Sequence, residues 1–192
     1  MCGIVGLLLK KPALYDRLGE LMVPMLIGMT ERGPDSAGMA VFGQPLPEGQ
    51  RKISVYSGLT EAGAGYDWVA LTDALNATLK VKAHASLKGN HAIFTFEGPA
   101  DPVKAFVKQY DARLHLLSAG RRIDLYKDIG TPAEVAQRYD FGALTGSHLV
   151  GHTRMATESA VTPDRAHPFT AGEDFCLVHN GSLSNPNGVR RM

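Results

Sequence analysis

The sequence is poor in the features that mark a specialised environment. Its 192 residues hold two cysteines, Cys2 and Cys176, too few for a disulfide scaffold. Charge of one sign is lacking: 20 Lys+Arg oppose 19 Asp+Glu, and a net charge of +1 offers no field to attract nucleic acid or an anionic membrane. Long hydrophobic runs are missing too. The longest, at 2–9 and 21–29, fall far short of the roughly 20 residues a membrane-spanning helix needs. A secretory leader would carry its basic residues first, whereas Lys10 and Lys11 follow the apolar run. The cysteines and the seven histidines have no close ligand spacing, so no metal and no other cofactor is expected. What is present, 44% hydrophobic residues at this length, suffices for a buried core and reads as a cytoplasmic enzyme or binding domain.

The apolar run 2–9 predicts a strand buried on both faces. Leu14, Leu18, Leu21, Met25 and Met29 fall at helical spacing and predict a helix over 13–30, kinked or divided at Pro24. Arg32-Gly33-Pro34-Asp35-Ser36-Ala37-Gly38 is turn chemistry before a short strand at 39–42, and 43–49 reads as a hinge. Segment 52–120 then has its own order. Strand 52–57 precedes a helix at 67–80 capped by Asp67; strands 81–87 and 91–96 flank Lys88-Gly89-Asn90. A second helix is expected to be capped by Asp101, with Pro102 at its first position, and a strand lies at 114–117. This β-α-β-β-α-β order is that of a split βαβ unit inserted in a larger domain. Thr131-Pro132-Ala133-Glu134 predicts a capping-box helix to about residue 138.

Three places could carry chemistry. Removal of the initiator methionine would leave Cys2 with a free α-amine beside its thiol. A free α-amine titrates at about 7.7–8.0, so such an amine can serve as base for a neighbouring thiol near neutral pH. Cys2 reads equally as a small apolar residue opening a strand. In Gly151-His152-Thr153-Arg154-Met155-Ala156-Thr157, Arg154 follows an apolar strand at 148–150. Its planar fork suits a substrate carboxylate, or simply a nearby Asp or Glu. Arg32 and Asp35 could likewise form a pair within their own turn. In His179-Asn180-Gly181-Ser182, an Asn amide and a Gly backbone N–H can converge on one oxygen as an oxyanion hole; Asn-Gly is also a common tight turn.

Taken in order, Cys2-Gly3-Ile4-Val5-Gly6, Arg32 to Gly38, Gly151 to Thr157 and Val178-His179-Asn180-Gly181 resemble the class II glutamine amidotransferases. These are N-terminal-nucleophile enzymes that hydrolyse glutamine to glutamate and ammonia. Met155, Glu158 where a histidine is frequent, and Ala166-His167-Pro168-Phe169 look closest to the branch holding the amidotransferase parts of glutamate synthase and N-methylglutamate synthase. The motifs cover about 1–43 and 121–189.

The resemblance implies an α+β fold of the N-terminal-nucleophile-hydrolase type, an αββα sandwich with 52–120 as a small inserted subdomain. It implies Cys2 as nucleophile with its α-amine as base, and Asn180 and Gly181 as oxyanion hole. Arg154 would hold the glutamine α-carboxylate with Thr157 assisting, and Arg32 would brace the pocket. L-glutamine would be the substrate and a synthase subunit the acceptor of ammonia. The family's aspartate for the α-ammonium lies downstream of the Asn-Gly pair, beyond Gly188-Val189-Arg190-Arg191-Met192, so the sandwich is expected to be incomplete at the C-terminus. Two other readings stand beside this one. One is a hydrolase pairing Cys2 with His152, His167 or His179; the other is an inactive fragment serving as a binding or assembly module.

Overall fold

The computed structural model describes residues 2–58, 65–156 and 161–181. It is a mixed α+β structure with antiparallel sheets. The first sheet contains β1 (Gly3–Leu8), β2 (Ser36–Phe42), β7 (Ile123–Ile129) and β8 (His148–Arg154), in the order β1-β8-β2-β7. The second contains β3 (Gln50–Tyr56), β4 (His84–Lys88), β5 (His91–Glu97) and β6 (His115–Gly120), in the order β4-β5-β3-β6. A short pair, β9 (Phe169–Thr170) and β10 (Cys176–Leu177), lies beside them.

One face of the first sheet is covered by helices α1 (Leu18–Ile27) and α4 (Pro132–Arg138). Val5, Ala37, Met39, Val41, Tyr126 and Leu149 turn to that side and meet Leu18, Met22, Leu26 and Val135. The strand at the N-terminus departs from expectation. As an edge strand it buries alternate residues only: Val5 is 7% exposed, while Ile4 is 43% and Leu8 64% exposed. The expected helix at 13–30 also differs. A 3-10 turn at Pro12–Arg17 precedes α1, and Pro24 sits inside α1 without dividing it. Pro24 and its neighbour Met25 lie on the exposed side, and the Pro24 carbonyl still accepts from Gly28 N.

In the second sheet, helices α2 (Trp68–Leu79) and α3 (Ala100–Tyr110) lie together over one face, where Trp68, Leu71, Leu75, Phe94, Val103 and Val107 interlock. Asp67 caps α2 by accepting from Ala70 N at 2.9 Å. Asp101 does not cap α3. The helix starts two residues earlier than expected, at Ala100, and Asp101 pairs within its first turn with Lys104. β4 begins at His84 rather than residue 81, because the Asn76 side chain engages both the N–H and the C=O of Ala83. β7 was not expected from the sequence. Its Asp124, Lys127 and Asp128 interrupt the apolar pattern, yet Lys127 and Asp128 are buried through specific partners.

The two sheets meet along Ala40, Phe42, Ile123 and Leu125 of the first and Tyr56 and Leu117 of the second. Ser54 Oγ accepts from Ser118 Oγ and from Leu125 N, tying β3, β6 and β7 together. Farther along, Tyr139 Oη donates toward both Asn90 Oδ1 and Asp128 Oδ2, while Arg138 donates to the same carboxylate at 2.7 Å. These bonds hold the β4–β5 turn against α4 and β7.

Candidate active site

Sheet register gathers three of the motifs. Gly3 on β1 is paired with Thr153 on β8, and Arg154 is paired with Ser36 on β2. Cys2, Arg154 and the Arg32–Ser36 turn therefore meet at one end of the first sheet. Cys2 is half-buried, with Sγ 4.0 Å from the Met155 carbonyl, the outer limit for a thiol donor. Arg154 is only 8% exposed. Among the described residues no histidine nitrogen is hydrogen-bonded to Cys2 Sγ.

The turn before β2 is built for contact with β8. Asp35 N donates to Arg154 O at 3.0 Å, and the Asp35 carboxylate accepts from Ala156 N at 2.7 Å. Among the described residues no Arg32–Asp35 ion pair forms. Gly33 is where this approach demands glycine: a Cβ would come within 2.5 Å of Arg154 N and of the Thr153 carbonyl carbon, both fixed backbone. Arg32 closes a short 3-10 turn and is exposed. Its turn reaches the end of β8, but its side chain points to no described partner. Thr157 and Glu158 lie outside the described residues, as do Ser182 and the segment after it.

The fourth motif arrives from far away in sequence. Asn180 Nδ2 donates to the Cys2 carbonyl at 2.8 Å. A carboxamide nitrogen carries two N–H groups, so this bond uses one donor and leaves a second on the same nitrogen. His152 Nε2 lies 3.2 Å from His179 O. A carbonyl only accepts, so the imidazole donates through Nε2 and His152 Nδ1 bears the lone pair. Gly181 has φ +154°, and its neighbourhood is tight, with a Cβ there meeting the His179 ring at 3.3 Å.

A row of side chains crosses the sheet on this face: His152 on β8, Gly38 on β2 and Lys127 on β7 are register partners in turn. The bare Gly38 gives room for the backbone of His167, whose carbonyl a Cβ would overlap. Lys127 Nζ donates to Ala166 O at 2.8 Å and lies 4.7 Å over the Phe169 ring. The His167 ring sits against His152, centroids 4.5 Å apart. Burial, helped by neighbouring histidines and cations, lowers both imidazoles to about 4, so both are neutral at pH 7. The sequence, besides placing His152 and His167 in its motifs, offers them a chemical role only as partners for the cysteine. It assigned nothing to Asp35 beyond its own turn, and Lys127 went unnoticed inside the unexpected β7.

Among the described residues no group of three or more His, Cys, Asp or Glu could hold a metal ion. Nor, among them, is any helix long and apolar enough to cross a membrane.

No protein-family model matches the chain. It is 46% identical over its whole length to the glutamine amidotransferase-like protein GlxB of Rhizobium meliloti. It is 32% identical, over 96% of its length, to a putative glutamine amidotransferase of Methanothermobacter thermautotrophicus. The chain spans 62% of the length of each of these two relatives. A shorter stretch, 36% of the chain, is 39% identical to 12% of the glutamine–fructose-6-phosphate aminotransferase of Methanococcus maripaludis.

Proposed function

We propose that this chain carries the glutamine-hydrolysing site of a class II, N-terminal-nucleophile amidotransferase of the glutamate synthase and N-methylglutamate synthase branch. In this reading 52–120 is an inserted split-βαβ subdomain of a glutamine amidotransferase domain, working in the cytoplasm. The observation that carries the proposal is the bond from Asn180 to the backbone of Cys2, at the sheet end that also holds Arg154. Similarity over the whole chain to a glutamine amidotransferase-like protein, and over 96% of it to a putative glutamine amidotransferase, supports the glutamine amidotransferase part of this reading.

The chemistry follows from those positions. The α-amine of the processed Cys2 takes the thiol proton, and Sγ attacks the side-chain amide carbon of glutamine. Negative charge develops on the amide oxygen and is met by the free Asn180 N–H and the Gly181 backbone N–H. The intermediate collapses, the amine returns its proton to the leaving nitrogen, and ammonia departs from a glutamyl thioester. Water then attacks the thioester with the same amine as base, releasing glutamate and restoring the thiol. Arg154 holds the substrate α-carboxylate through its fork, with Thr157 assisting, and Arg32 braces the turn. Ammonia passes to a synthase partner.

The test is glutamate release from L-glutamine by the native chain, by Cys2→Ala and by protein whose α-amine is chemically blocked. The proposal expects activity only in the first. Activity that survives the blocked amine contradicts the mechanism and favours a histidine base.

A further inference from the structure

Asn180 and Gly181 can act as oxyanion donors only if their loop is held in place. The loop is exposed, and the Cys2 carbonyl receives the Asn180 amide on the nucleophile side only. The loop's second contact is with His152, 1% exposed, the last bulky residue of β8 before Arg154 on the same sheet face. Its Nε2–H reaches the carbonyl of His179, one residue before Asn180. Its Nδ1 is buried and has no hydrogen-bond partner among the described residues. A solvent-exposed loop is thus hung from a ring that belongs to the rigid sheet.

That ring is itself immobilised. His167 packs on it, and His167 is seated in the gap over Gly38 while Lys127 grips the carbonyls of Ala166 and Pro168 on either side. The support therefore runs from β7 through the 166–168 segment to His152, and from there to the backbone next to the oxyanion donors. A neutral ring with its proton on Nε2 fits, since Nε2 faces a carbonyl and Nδ1 has no acceptor among the described residues.

From this geometry we infer that His152 is a positioning residue for the hydrolytic reaction: it fixes the 179–181 loop so that the Asn180 and Gly181 donors stand at the amide oxygen of the substrate. The inference rests on the glutaminase reading of the same site. Donors that are displaced stabilise the developing oxyanion poorly while leaving the α-carboxylate contact to Arg154 intact, so the effect belongs in kcat rather than KM.

The measurement compares kcat and KM for glutamate release by the native chain, His152→Leu and His152→Gln. The leucine removes the donor but keeps an apolar filling. The glutamine amide nitrogen can occupy the place of Nε2 and donate to the same carbonyl. We expect kcat to fall about ten- to a hundred-fold in His152→Leu with KM changed less than about three-fold, a fraction of what losing an oxyanion donor outright costs. His152→Gln should recover most of that loss. Equal kcat in native and His152→Leu protein overturns the inference and leaves the glutaminase reading standing. An inactive native chain overturns that reading, and the inference with it. If His152→Leu does not fold, long-range 1H–15N spectra of the native protein decide. Nε2 protonated and Nδ1 bare at pH 7 is the result expected; the reverse tautomer contradicts the inference.

Discussion

The Asp35 carboxylate accepts the Ala156 backbone N–H at 2.7 Å, joining the turn before β2 to the turn after β8. Because Asp35 N also donates to Arg154 O, one residue clamps both sides of the segment that carries Arg154 and Met155. Two motifs more than a hundred residues apart in sequence are one piece of structure.

Removing that carboxylate should loosen the site and the fold together. For Asp35→Ala we expect a loss of about 1.5–3 kcal/mol in urea denaturation, the range for a hydrogen bond to a charged acceptor, and a higher KM for glutamine. Asp35→Asn keeps an acceptor oxygen and should lose less than half as much. Equal losses in both variants would mean that the charge, not the bond, matters.

Gly33 marks the closest approach of these turns. A Cβ there would press on the Arg154 amide and the Thr153 carbonyl. Gly33→Ala should therefore destabilise by about 1–3 kcal/mol, the usual cost of overpacking against groups that cannot yield. Gly43→Ala is the control, since its nearest neighbour would be 3.8 Å away; it should be neutral or stabilised by a few tenths of a kcal/mol through the unfolded chain. Denaturation midpoints at constant slope make the comparison.

Stability should also depend on pH through buried neutral histidines. Burial lowers His91 to about 3, and His152 and His167 to about 4, against an ordinary value near 6.5. His91 shows why: Asn90 Oδ1 takes its Nδ1 proton, and Nε2 faces the Lys127 N–H at 3.3 Å, leaving no acceptor for a second proton. Below pH 6.5 the unfolded chain binds protons that the folded chain refuses, so this stability is complete above 6.5 and is lost as pH falls toward 4. Urea titrations between pH 7.5 and 4.5 should show a steady decline across that window, with a shallower slope in His91→Asn. A flat profile would contradict the burial argument.

Much of the architecture was legible because local chemistry and tertiary need agreed. Asp67 before the Trp68, Leu71 and Leu75 stripe, and Thr131 with Glu134, are caps whose partners lie within four residues, and both form as expected. What escaped depended on distant partners. β7 reads as polar until Arg138, Tyr139 and the Ala166 carbonyl supply partners for Asp128 and Lys127. The strand at 3–8 looked buried on both faces because an apolar run does not reveal that it is an edge. At the site, the residue types were visible but their supports were not. Nothing local to His152 says that its proton goes to His179 O, and nothing in Arg-Gly-Pro-Asp says that Asp35 reaches Ala156 rather than Arg32.

Covalent catalysis by Cys2 is best examined by trapping the glutamyl group. Native protein would be incubated with L-glutamine and hydroxylamine, and its N-terminal peptide examined by mass spectrometry after acid quench. Expected are a processed N-terminus beginning at Cys2, a glutamyl adduct on that peptide, and γ-glutamyl hydroxamate in solution, with the adduct and the hydroxamate both absent in Cys2→Ala. Hydroxamate formed equally by Cys2→Ala, or by protein that retains Met1, would rule out Cys2 as the nucleophile activated by its own α-amine.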